Sequence, residues 1–200
     1  MKWVVCLLVF AAVACVLGTG SVRSQPVQPV GQPRVWQPSP NVAWKILLST
    51  RVSQYGHRNW VVIADSAYPS QSRGGIETVV TYTDHIDVVS EVLAQLGRHK
   101  HVRPVVYMDS ELPYVPEKDA PGIGKVRDDL AKVLGDRKPT PIAHEQVIHN
   151  LDKAGEKFSV LVLKTTMTLP YTSVFLELDC GYWSPDAEKR LRDAIRAAKP

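Results

Sequence analysis

The side chains best suited to moving protons near neutrality are the histidines, because an imidazole with an ordinary pKa of about 6.5 both accepts and donates. His57 follows Gly56 and precedes the apolar run Trp60-Val61-Val62-Ile63-Ala64, which stops at Asp65. A glycine-hinged histidine before a strand, and an acid at the strand's exit, suit chemistry at a site where α/β sheets commonly bind ligands. If His57 opens the strand, Asp65 lies roughly 20 to 25 Å away at about 3.3 Å per residue. Either His57 then sits in a loop that folds back, or a neighbouring subunit completes the site.

The other candidates read more simply. His85, between Asp84 and Asp87, reads as a surface residue, and His99-Lys100-His101 as a solvated cluster at a helix end favoured by the dipole. His144 and His149 are five apart, the wrong spacing for one helical face. No His or Cys pair supplies converging metal ligands, so no metal is expected. Gly122-Ile123-Gly124-Lys125 lacks the preceding strand and the Lys-Ser/Thr ending of a phosphate loop. There is no Gly-x-Ser-x-Gly nucleophile motif. Cys180 follows an alternating strand and reads as a small hydrophobe.

The elements that must position these residues alternate between strand and helix. A helix from about Asn41 to Tyr55 carries Val42, Trp44, Ile46, Leu47 and Leu48, and Gly56 ends it. The uniformly apolar run 60–64 predicts a strand covered on both faces. Strands are expected at 76–82, 102–108, 158–163 and 174–178, and helices at 83–97, 125–134, 144–154 and from Ser184-Pro185-Asp186 onward. Residues 110–124 and Pro139-Thr140-Pro141 read as loop and punctuation. The alternation predicts an α/β layered domain.

Composition sets the bounds. Two hundred residues with 44% hydrophobic content suffice for one domain with a real core. The net charge of +4 comes from 24 basic residues interleaved with 20 acidic ones, without a basic run, so no nucleic-acid partner is expected. Residues 1–24 read as a signal peptide: Lys2, then an uncharged run from Trp3 to Leu17 that is too short to span a bilayer. Residues 25–40 hold five prolines and read as an extended linker. The protein is thus expected to be secreted or periplasmic, with a lipid anchor at Cys15 as an alternative. Only Cys180 and that Cys15 would remain in the mature chain, so the core alone must hold the fold.

Tyr55-Gly56-His57-Arg58-Asn59 and Ala64-Asp65-Ser66-Ala67-Tyr68-Pro69 resemble the Gly-His-x-Asp and Asp-Ala-x-x-Pro signature of the ribose pyranase and fucose mutarotase family. His144-Glu145-Gln146 resembles the His-Glu-Gln of the pyranase branch. Pro170-Tyr171-Thr172-Ser173, followed by an apolar strand and Gly181, resembles that family's Pro-Tyr-x-Asn ending. The four matches cover about residues 41–183, and the helix from 184 to 200 extends beyond the family's usual end. The resemblance implies a single three-layer α/β domain with a central, largely parallel sheet. It implies cofactor-free interconversion of the ring forms or anomers of a free monosaccharide. Sites would form between subunits of a homo-oligomer, with His57 catalytic and Asp65, His144, Tyr171 and Ser173 lining the sugar. Asn59 stands where the family has Asp, and Ser173 where it has Asn. These departures leave open a non-catalytic carbohydrate-binding relative or an envelope structural protein.

Overall fold

The computed structural model describes residues 39–198; the expected signal peptide, the Cys15 anchor and all but the end of the Pro-rich linker lie outside the described residues. The first helix, α1 (Pro40–Gln54), starts inside the expected linker because Pro40 occupies the first turn, where its missing N–H costs nothing. Trp44, Leu48 and Val52 recur every four residues and are buried. Strand β1 (Trp60–Ala64) follows, buried along its whole length, and then β2 (Ile76–Val80).

Asp84 caps α2 (His85–Gly97), accepting the N–H of Ile86 at 2.9 Å. Then come β3 (Val102–Asp109), α3 (Ile123–Leu134), β4 (Thr140–Ile142), α4 (His144–Lys157), β5 (Val160–Lys164), β6 (Val174–Cys180) and α5 (Pro185–Ala197). The Pro139–Pro141 segment, expected as punctuation, contains the start of the short strand β4. Pro141 is tolerated there because β4 pairs on one side only, at the sheet's edge.

The six strands form one sheet in the order β2-β5-β1-β6-β3-β4. β1 pairs in parallel with β5, β5 with β2, and β3 with β4; β6 runs antiparallel to both β1 and β3. Five strands therefore point the same way. Alternation along β1 sends Val61 and Ile63 to one face and Trp60, Val62 and Ala64 to the other. The first face packs under α1, α2 and α3 through Trp44, Leu48, Val92, Leu96, Ile123 and Leu130. The second packs under α4 through Val147 and Leu151. The result is a three-layer α/β domain with a mostly parallel central sheet.

Helix α4 approaches β2 so closely that two glycines are required. A Cβ on Gly75 would lie 2.2 Å from the carbonyl oxygen of Gly155, and one on Gly155 would lie 2.7 Å from Ile76 Cγ1. Helix α5 buries none of its residues, and Leu191 and Ile195 stay exposed on it. No described helix is long and apolar enough to cross a membrane.

Candidate functional site

Parallel strands end together, so the segments leaving them gather at one edge of the sheet. Asp65 comes directly after β1, Asp109 ends β3, His144 opens α4 after β4, and Thr165–Ser173 connects β5 to β6. A cleft of 450 Å³ opens there, lined by Asp65–Pro69, His144 and Thr168–Tyr171. Asp65, His144 and Tyr171, three of the expected site residues, thus converge on one cleft.

Each is held in its own way. Asp65 Oδ1 accepts the backbone N–H of Ala67 at 2.8 Å, and the hydroxyl of Ser173 donates to Oδ2 at 3.4 Å. Ser173 is 1% exposed, so it braces the carboxylate from within. Tyr171 sits at φ 57°, a left-handed conformation that costs a non-glycine residue on the order of 1 kcal/mol. Its ring meets the His144 imidazole edge-on, with centroids 5.6 Å apart.

His144 is gripped twice by residues at the end of β3. Its Nδ1–H donates to Asp109 Oδ1 at 3.1 Å, and its backbone N–H donates to Glu111 Oε1 at 3.1 Å. Ala143 cannot cap α4 with its side chain, and the Glu111 carboxylate supplies that cap from another part of the chain. The Asp109 side chain is fully shielded from solvent, and its Oδ2 has no hydrogen-bond partner. Burial pushes the Asp109 carboxyl up to about 6, against the opposing pull of His144. Nothing in the order of residues singles out Asp109: it closes an unremarkable strand, and only the β3–β4 pairing brings it to His144.

The connection carrying Tyr171 is anchored by His85, which is fully buried rather than on the surface as expected. Position 85 begins α2, and that end of the helix tucks under the 165–173 segment. Burial lowers the pKa of His85 and keeps the ring neutral, with a single N–H. Nε2 donates to the carbonyl of Thr172 at 2.9 Å, and Nδ1 lies 3.0 Å from the Thr165 hydroxyl oxygen, which is also 3.0 Å from the carbonyl of Ala64. His101 likewise serves the fold, because its Nε2–H is shared between the carbonyls of Val52 and Tyr55 and so satisfies the end of α1.

His57 lies elsewhere. It is exposed in the turn between α1 and β1, at the opposite end of β1 from Asp65. There it lines a separate cavity of 730 Å³ with Arg58, Arg103, Asp179 and Trp183. Within one chain it does not join Asp65, His144 and Tyr171. Asn59, the departure from the family pattern, has a local role: Oδ1 accepts from Gly56 N–H at 2.9 Å, while Nδ2 donates to the Ser159 carbonyl at 3.2 Å. An ionised Asp could make only the first of these bonds.

The glycine loop before α3 is occupied by the chain itself. The Glu117 carboxylate accepts from the backbone N–H groups of Gly122 and Gly124, which holds it below the usual carboxylate range. Among the described residues no group of His, Cys, Asp and Glu is placed to hold a metal ion.

No family model matches the chain, and no curated protein matches it either. Among solved structures it is similar to Bacillus subtilis RbsD complexed with D-ribose, at 16% identity and a TM-score of 0.48, over 66% of this chain and 91% of that one. It is also similar to FucU from Bifidobacterium longum, at 15% identity and a TM-score of 0.44, over 67% and 92% of the two chains. A third is the fucose mutarotase from Streptococcus pneumoniae in complex with L-fucose, at 18% identity and a TM-score of 0.40, over 70% and 94%.

Proposed function

We propose that the cleft at the carboxyl end of the sheet binds a free monosaccharide and that histidine acid–base chemistry there interconverts its ring forms or anomers. The observation that carries this reading is the convergence of Asp65, His144 and Tyr171 on one cleft, with Ser173 bracing Asp65. Their types suit a sugar. A carboxylate accepts from hydroxyl groups, and an aromatic ring packs on the apolar face of a pyranose while its hydroxyl donates. Opening a cyclic hemiacetal needs a proton taken from the anomeric hydroxyl and one delivered to the ring oxygen, each step worth about 10²- to 10⁴-fold when a side chain performs it. No cofactor is called for.

In this reading His57 takes part only from a second copy of the chain, which makes a homo-oligomer with sites between subunits part of the proposal. Export through residues 1–24, with or without an anchor at Cys15, belongs to it as well. The position of His57 favours one alternative, a cleft that binds sugar without turning it over.

NMR saturation-exchange measurements across a panel beginning with D-ribose and L-fucose separate these. Catalysed exchange between anomers or ring forms, lost in His57→Ala, supports the full reading. Chemical-shift changes at Asp65 and Tyr171 without exchange leave a binding protein. No shift with any sugar rejects both.

A further inference from the structure

Resting on the monosaccharide reading, we infer that the cleft has its own proton-transfer group in His144, and that Asp109 is the positioning residue that fixes its ring. Four observations on independent atoms meet at this pair. Asp109 is 2% exposed and receives the Nδ1–H of His144 at 3.1 Å. Its second oxygen is buried without a partner, an arrangement that costs stability and calls for a reason. Glu111 holds the backbone N–H of the same residue, so His144 is tied at both its backbone and its ring. The His144 side chain keeps 35% exposure and lines the cleft beside Tyr171.

The tautomer follows from the donor inventory. An ionised carboxylate only accepts, so the proton of the neutral ring is on Nδ1 and the lone pair is on Nε2. Nε2 is the nitrogen left to the cleft, the one a sugar hydroxyl would meet. The step balances without a co-reactant. Nε2 takes the proton of the anomeric hydroxyl, whose electron pair forms the carbonyl as the bond from the anomeric carbon to the ring oxygen breaks. The ring oxygen then takes the proton from the imidazolium, giving the open-chain hydroxyaldehyde. Reclosure on the other face of the carbonyl runs the same steps backward. The imidazolium formed on the way is stabilised by Asp109. The charged and titratable groups facing the pair are Glu111 beyond β3, Asp65 beyond β1, Tyr171 edge-on to the imidazole, and the phenol of Tyr68, whose own deprotonation burial opposes.

A carboxylate that merely anchored α4 to β3 would leave the tautomer and the chemistry indifferent to Asp109→Asn. The uncharged amide can turn its N–H₂ toward Nδ1 and so admit the wrong tautomer. The test uses the full chain, with long-range 15N–1H spectra of the histidine rings and sugar exchange rates by NMR. The expected wild-type signature is His144 with its proton on Nδ1. Asp109→Asn should shift that signature toward the other tautomer and lower exchange about 100-fold with sugar affinity unchanged. His144→Gln should lower exchange at least as far, and His149→Gln, an exposed site on the same helix, should stay within about twofold.

A wild-type ring with its proton on Nε2 overturns the positioning role, and that spectrum needs no variant to fold. Undiminished exchange in His144→Gln, with loss in His57→Ala, overturns the proton-transfer role. If wild type binds sugars without exchange, the turnover reading fails along with the proton-transfer role, while the tautomer spectra still decide what Asp109 does.

Discussion

At the carboxyl ends of the parallel strands the chain buries polar side chains, whereas at the opposite end it leaves its charges paired near the surface. Thr81, His85, Asp109, Thr165, Thr172 and Ser173 are all buried and all follow or adjoin strand ends at the cleft edge. Around His57 the corresponding groups are Arg103 and Asp179, joined at 2.6 Å but about two-fifths exposed each. Burying polar groups is unfavourable unless each finds a partner, and even then a hydrophobic replacement is often as stable. The cleft edge therefore carries an arrangement that stability alone does not require. The His57 edge resembles an ordinary surface, apart from Arg58 at φ 71°.

The comparison can be broken most forcefully through the packing that places α4. In Gly75→Ala the new methyl group meets the carbonyl of Gly155, which is backbone and cannot swing away. We expect a loss on the order of 3 kcal/mol or more in denaturant unfolding, with the His144–Asp109 contact weakened in whatever folded protein remains.

Next in size is His85→Ala, which removes a buried ring and takes the imidazole N–H away from the Thr172 carbonyl. A loss of about 3 kcal/mol is expected. Backbone amides of 165–173 should broaden or shift in two-dimensional NMR spectra, while those of 57–59 stay put. Equal disturbance at both ends would show that the two are not independent.

The pH dependence gives a smaller signal of definite sign. His85 has its folded pKa depressed by burial, so below about pH 6.5 the unfolded chain binds more protons than the folded one. Stability should therefore fall as pH drops through that region. Asp109, raised to about 6, works the other way, losing stability as pH rises from about 4 to 6. His85→Gln should flatten the loss on acidification below pH 6.5, measured by urea unfolding at a series of pH values. An unchanged slope would assign it to another group.

The smallest effect belongs to the far edge. Arg103→Ala removes an ion pair that holds the Asp179 carboxyl below the usual range. Because both side chains are well exposed, the loss in thermal unfolding should stay under about 1 kcal/mol and shrink in salt.

Much of the architecture is legible from the residues in order. The 60–64 run announces a strand covered on both faces, and every residue of it is buried. Helical periodicity locates α1, α2, α3 and α4 to within a few residues, and strand-helix alternation predicts the layered class. Asp65, His144 and Tyr171 stand out by motif and do meet. His85 reads wrongly because its charged neighbours, Asp84 and Asp87, describe the solvent side of a helix, while the ring points to the other side. Strand β4 escapes notice because two prolines flank one threonine, a pattern that a strand admits only at an edge.

By itself the sequence determined most of the helices and strands, β4 excepted, since periodicity and capping are local, and it marked which side chains were candidates for a site. Which of those residues share a cleft was decided by the tertiary structure. The order β2-β5-β1-β6-β3-β4 brings the ends of β1, β3, β4 and β5 to one edge, and so joins Asp109 to His144 across 35 residues. The same geometry puts His57 at the other end of β1 from Asp65, because a strand of five residues is straight and its two ends cannot meet.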